Sequence, residues 1–209
     1  MVETALTAFV TLFVIIDPIG LAPIFVALTS GVAEKERRRI AVRACLVGFG
    51  VLTLFGLAGE RLLELVGIGM PAFRIAGGLL LFLTAVDMLF ERRTERREKN
   101  VDAAEADSAH VDPSVFPLAT PLLAGPGALA TMILLVDQQP DFMGQALIFA
   151  VMAAVVLTAL LLFFLGGMLE RAVGQIGINV ITRLLGMLLA ALSVQFVIDG
   201  LRDVGFLAG

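Results

Sequence analysis

Tryptophan and tyrosine are absent from this 209-residue chain, and cysteine and histidine occur once each. Charge is scarce too: 16% of the residues are Asp, Glu, Lys or Arg, against roughly 25% in an ordinary soluble domain. Each shortage excludes something. A single cysteine, Cys45, cannot form an internal disulfide, which removes the secreted disulfide scaffold. With only His110 beside it, no Cys/His metal cluster can be assembled, so no metal or cofactor is expected. Neither H-E-x-x-H nor G-x-S-x-G occurs, and the chain is not expected to be an enzyme. A net charge of −4 and an apolar bulk speak against nucleic acid as a partner. All 15 aromatics are Phe, so an interfacial aromatic belt would lack its usual residues.

What is present is apolar bulk in long blocks. Apolar residues make up 59% of the chain, and its mean hydropathy is +0.98. A helix needs about 20 residues to cross the hydrocarbon of a bilayer. Six segments meet that length: about Thr4 to Leu28, Ile40 to Gly59, Pro71 to Phe90, Val115 to Val136, Phe142 to Leu169 and Ile178 to Ile198. The expected fold is therefore an all-α membrane protein of six transmembrane helices. Met1-Val2-Glu3 lacks a basic leader and the first run is too long for a cleaved signal, so that span is expected to persist.

Lys and Arg fall mostly on one side of this arrangement. Lys35, Arg37, Arg38 and Arg39 follow the first span, Arg92, Arg93, Arg96, Arg97 and Lys99 the third, and Arg171 the fifth, against Arg61 and Arg202 on the other side. The positive-inside rule then places both termini outside the cytoplasm and the charged stretch between spans three and four inside. That stretch divides the chain into residues 1–90, a polar connector over 91–114, and residues 115–209.

The two halves resemble each other at a shift of about 108 residues. Asp17-Pro18-Ile19-Gly20-Leu21-Ala22 lies over Gly125-Pro126-Gly127-Ala128-Leu129-Ala130, and Arg74-Ile75-Ala76-Gly77 over Arg183-Leu184-Leu185-Gly186. Three spans per half is an odd number, so the second copy would enter the membrane from the opposite side, as inverted repeats do in many secondary transporters. Spans one and four also carry matching breaks, with Pro18, Gly20 and Pro23 in one and Pro117, Pro121 and Gly125-Pro126-Gly127 in the other. Proline interrupts the helical ladder and is expected to break each span, with Pro23 disrupting a further turn. Backbone freed at membrane depth lines protein or water, and a half-helix start there presents free N–H groups and positive dipole. The paired breaks are the expected binding site.

Asp17 sharpens that expectation, standing about 20 Å into its helix, near the membrane midplane. An intramembrane carboxylate is a functional residue by default: a counter-ion for a substrate ammonium, a proton carrier, or a cap for the following half-helix. Thr120 and Thr131 offer hydroxyls near the second break. Arg74 and Arg183 stand in the first turns of their spans, either snorkelling to headgroups, or facing inward as gate charges, or with one of them paired to Asp17. Gly48, Gly56, Gly59, Gly77, Gly78, Gly166 and Gly167 are expected to allow close helix packing.

Asp17-Pro18-Ile19-Gly20 with Pro23, followed by Phe116-Pro117-Leu118-Ala119-Thr120-Pro121 and Gly125-Pro126-Gly127-Ala128, resembles the MarC family of bacterial inner-membrane proteins over essentially the whole chain. The resemblance implies a transporter of small neutral amino acids such as glycine and alanine, coupled to protons. On its motifs, Asp17, Pro18, Gly20, Gly125, Pro126 and Gly127 are the nominated substrate contacts, with Asp17 also carrying the coupling proton. Expected partners are the small-molecule substrate, membrane lipids and a second copy of the chain. Export of another small solute, a drug or a metal cation, and a non-transporting regulator acting through the connector, stay open as alternatives.

Overall fold

A computed structural model of the protein describes residues 2–90, 92 and 112–206. Most of the expected polar connector, with Arg93, Arg96, Arg97, Lys99 and His110, lies outside the described residues. The elements in order are α1 (Val2–Ile16), α2 (Pro18–Leu28), α3 (Glu34–Val66), α4 (Met70–Leu89), an irregular α5 (Ser114–Leu123) with extended residues at Phe116 and Thr120, α6 (Pro126–Asp137) and α7 (Phe142–Asp203). There is no strand among the described residues.

The apolar spans are all present, with edges set by local chemistry. The first span, Val2–Leu28, divides at one residue, Asp17, which takes the left-handed conformation (φ 55°, ψ 63°). Pro18 then opens α2, where its missing N–H would be unpaired in any case. Pro23 does not disrupt the next turn as expected: α2 runs through it, with buried Leu21, Ala22, Ile24 and Phe25 holding the turn on either side. The second span is longer than the expected 40–59. Glu34 and Glu36 favour a helix start, and Glu34–Arg38 and Glu36–Arg39 pairs extend α3 beyond the apolar block. Gly67, in the left-handed region at φ 77°, ends it.

Spans five and six are the two limbs of α7, which turns at Gly174 (φ 68°, ψ 165°). Asp141 opens that helix by accepting a hydrogen bond from the Gly144 N–H at 3.0 Å. The fourth span is the bent pair α5–α6, whose parts meet at 57°. Counting that pair as one span, six apolar segments are long enough to cross a membrane.

Packing fixes relative direction. A Cβ at Gly48 would meet Leu123, one at Gly56 Met132 and one at Gly59 Ile133, so α3 runs alongside α5–α6 in the same sense. Thr7 and Ala8 line one cleft with Ile148, and further along the Phe25 and Phe163 rings stack at 4.6 Å, so the first span and the first limb of α7 also run in one sense. In contrast, Gly78 meets Ser193, Gly186 meets Met88 and Gly200 meets Ile75, an antiparallel register between α4 and the second limb. The expected close-packing glycines thus do pack, apart from Gly167, where an added Cβ would meet nothing within 4 Å. Leucines such as Leu54, Leu57, Leu161 and Leu184 face outward, as lipid-facing residues do.

Candidate functional site

The site grows from the two breaks. At the first, Asp17 is fully buried between buried Ile16 and Pro18, the one charged residue so enclosed among the described residues. Its N–H still donates to the Phe13 carbonyl at 2.9 Å and its carbonyl still accepts from the Leu21 N–H at 3.0 Å. The helix is therefore turned at this point more than it is opened. The Asp17 carboxylate caps α2 by accepting from the Gly20 N–H at 3.0 Å. Gly20 must lack a side chain, because a Cβ there would run into that carboxylate.

At the second break no side chain caps α6. Gly125 and Pro126 open the helix, and proline brings no N–H to this turn. Of the roles expected for Asp17, the cap is the one in place: α2 is capped by its own Asp17, so the uncapped half-helix start is that of α6. A side chain on Gly125 would collide with the Pro121 carbonyl, 2.7 Å away, so the tight bend itself needs glycine there.

Gly127 brings the two breaks together. It is buried, and a Cβ there would lie 3.2 Å from Leu81 Cδ2, 3.7 Å from Ile15 Cγ2 and 3.9 Å from Thr84 Oγ1. Ile15 is two residues before Asp17, so the first turn of α6 packs directly on the end of α1. Thr131 is one helical turn further along the same face. It is fully buried, and its Oγ1 has no hydrogen-bond partner. The buried Thr11 and Thr29, by contrast, satisfy their hydroxyls on the preceding turn, donating to the Thr7 and Phe25 carbonyls, both at 2.7 Å. An unpaired buried hydroxyl is unfavourable by roughly 1–3 kcal/mol; the Thr53 and Thr182 hydroxyls are also without a partner, and Thr131 is distinguished by standing one turn from Gly127 at the meeting of the breaks.

Of the other expected site residues, Pro18 is buried at the first turn of α2 and Pro126 is exposed at the start of α6. Thr120 is exposed on an extended residue (φ −134°, ψ 123°) ahead of cis Pro121, so it is not part of the buried face of Gly127 and Thr131. Thr84 escapes a reading of the sequence; a hydroxyl within apolar span three is the one signal that points to it.

Two charge groups flank the site at opposite ends of the bundle. Arg74, whose side chain is 13% exposed, donates to Asp203 at 2.6 Å and to Asp137 at 3.2 Å, tying α4, α6 and the end of α7. It therefore neither snorkels alone nor reaches for Asp17. At the other end Arg43 meets Asp112 at 2.5 Å. The buried Ser114 hydroxyl donates to Asp112 at 2.6 Å, and this bond, with Arg43 beside it, holds the Asp112 carboxyl below the usual range. Neither ion-paired group can be read from the sequence, since the partners lie 63 to 129 residues apart.

Comparison with known proteins places this arrangement. The family described as "MarC family integral membrane protein" matches residues 2–204. A UPF0056 membrane protein of Aquifex aeolicus is 36% identical over 94% of this chain and 92% of its own length. Another from Methanocaldococcus jannaschii is 35% identical over 93% and 94%. The UPF0056 inner membrane protein YhgN of Escherichia coli is 35% identical over 94% and 95%. No solved structure matches the chain. With the family pattern covering nearly every residue, and both Pro/Gly breaks standing at one packed face, the chain belongs to the MarC family of integral membrane proteins.

Proposed function

We infer that this protein is a secondary transporter of small neutral amino acids, coupled to protons, in a bacterial inner membrane. The observation that carries the reading is the meeting of the two breaks: a buried carboxylate at Asp17, the uncapped start of α6 on Ile15, and an unpartnered hydroxyl at Thr131. Uncapped N–H groups and helix dipole suit a substrate carboxylate. Asp17 suits the ammonium or the coupling proton. Gly127 packs closely on Ile15 and Leu81, so a site opened by parting these helices is narrow, which favours substrates as small as glycine and alanine.

Alternating access rests on an inverted repeat, and the packing supports one. At a shift of 107 residues, Gly59 on Ile133 becomes Gly166 on Val26, and Gly56 on Met132 becomes Phe163 on Phe25. Two clefts of about 650 and 480 Å³ lie at opposite ends of the bundle. Their linings correspond as Val32 with Gln139, Ile40 with Ile148 and Asp112 with Thr4, at shifts of 107 or 108. Such paired vestibules are what an inverted-repeat transporter opens in turn. Uptake of labelled alanine or glycine into proteoliposomes under an imposed proton gradient tests the function. Absence of uptake by folded protein defeats the transport reading, and unchanged uptake in both Asp17→Asn and Gly127→Leu defeats the site.

A further inference from the structure

A third cleft, of about 490 Å³, lies away from the breaks, between the start of α3 and the first limb of α7. Its lining is Glu34, Arg37, Arg38, Val42 and Phe164. The residues change character along its length. Glu34, Arg37 and Arg38 belong to the first turns of α3, before the apolar part begins at Ile40. Val42 lies about 12 Å further along the axis than Glu34, and Phe164 lies ten residues before the turn of α7 at Gly174. Val42 is 40% exposed and Phe164 46% exposed, so the deep end of the cleft has an outward-facing apolar wall.

At the polar end the two arginines differ. Arg38 is paired with Glu34 at 2.5 Å. Arg37 is half-buried, forms no ion pair among the described residues, and rests its guanidinium 5.3 Å above the Phe25 ring, which is itself stacked on Phe163. Two arginines against one glutamate leave the cleft cationic. A basic end joined to an apolar wall matches an anionic headgroup with its chain attached, and matches a free anion less well because the apolar half would stay uncovered.

We propose that this cleft binds an anionic phospholipid, with the phosphate on Arg37 and an acyl chain along Val42 and Phe164. The bound lipid bridges α3 to the first limb of α7 and, through Arg37 on Phe25, braces the end of α2. This site is separate from the substrate reading and does not depend on it.

Native mass spectrometry of the full chain released from detergent, titrated with phosphatidylglycerol or phosphatidylcholine of identical chains, tests the proposal. Phosphatidylglycerol should be retained in preference, and Arg37→Gln should weaken its first binding step about fivefold, the value of one basic group near a headgroup. Arg37→Lys should keep most of that binding, and Arg202→Gln at the other end of the bundle should leave it unchanged. Phe164→Ser, at an outward-facing position, should also weaken it and serves as the test if Arg37→Gln does not fold. Excess inorganic phosphate should not displace the lipid. Equal retention of the two lipids overturns the proposal, as do unchanged binding in Arg37→Gln and Phe164→Ser or displacement by phosphate alone.

Discussion

At Asp17 one side chain serves two physical purposes, and substitution can separate them. The carboxylate caps α2 on the Gly20 N–H while the residue holds a left-handed backbone that few side chains tolerate. Asparagine caps as well as aspartate and also accepts that backbone. Asp17→Asn should therefore keep its melting temperature in detergent within a few degrees of the parent while abolishing proton-driven alanine uptake. Asp17→Ala loses cap and backbone preference together, about 1–3 kcal/mol, and should melt measurably lower. Gly20→Ala keeps the charge and displaces it, since the new methyl occupies the carboxylate's place; it should lose stability without any change of formal charge. If Asp17→Asn transports normally, the charge has no part in the cycle and the residue is a cap alone.

The elements are held by charge groups at their ends, and these answer to different variables. Arg74 joins three elements through two aspartates, and its carboxylate partners are 20% and 41% exposed. Removing one partner of a buried pair is unfavourable by about 3–5 kcal/mol, and partial exposure reduces that to about 1–3 kcal/mol here. Arg74→Gln should lower the thermal midpoint accordingly, and an unchanged midpoint would show that the group is not a brace. Asp112 responds to pH instead. Its folded pKa is lowered, first by the Ser114 hydroxyl, so the contribution is complete above the ordinary Asp value of about 3.9 and is lost as pH falls through the lower folded value. Ser114→Ala should therefore destabilise most near neutral pH, and the pH-dependent part of the difference should vanish on strong acidification. Melting curves across that range read it directly. The breaks at Asp17 and Gly125 are legible in the sequence because Pro, Gly and an intramembrane acid are rare enough to stand out. The brace on Arg74 and the pair of Arg43 with Asp112 are not, because they join residues distant in sequence. Pro23 misleads because buried neighbours outweigh one lost ladder bond.

For the whole molecule, direction follows from which residues meet. The chain enters through α1–α2 and returns through α3, and α4 crosses again in the sense of α1–α2. The parallel packing of α3 on α5–α6 then makes the fourth span run as the second does, which agrees with the first limb of α7 running with α2 and the second limb running against α4. Three independent contacts thus give one order, in which the spans of the second half each oppose their counterparts in the first. Residues 29–33, the end of α4, the start of α5 and the turn at Gly174 fall at one end, and the start of α1, the end of α7 and residues 67–69 fall at the other. The first end gathers Lys35, Arg37, Arg38, Arg39 and Arg92, and Arg171 beside the turn, so the positive-inside rule predicts that this end faces the cytoplasm. Alkaline phosphatase, which is active only after export, should therefore be active when fused after Val204 or at Gly67 and inactive when fused at Ser30 or Asn100. A fluorescent protein that matures only in the cytoplasm should give the opposite pattern. Activity of the phosphatase at Ser30 with none after Val204 would invert the molecule in its membrane and exchange the sides on which the two clefts open, whereas activity at both would break the span count and remove the basis for clefts opening to opposite sides.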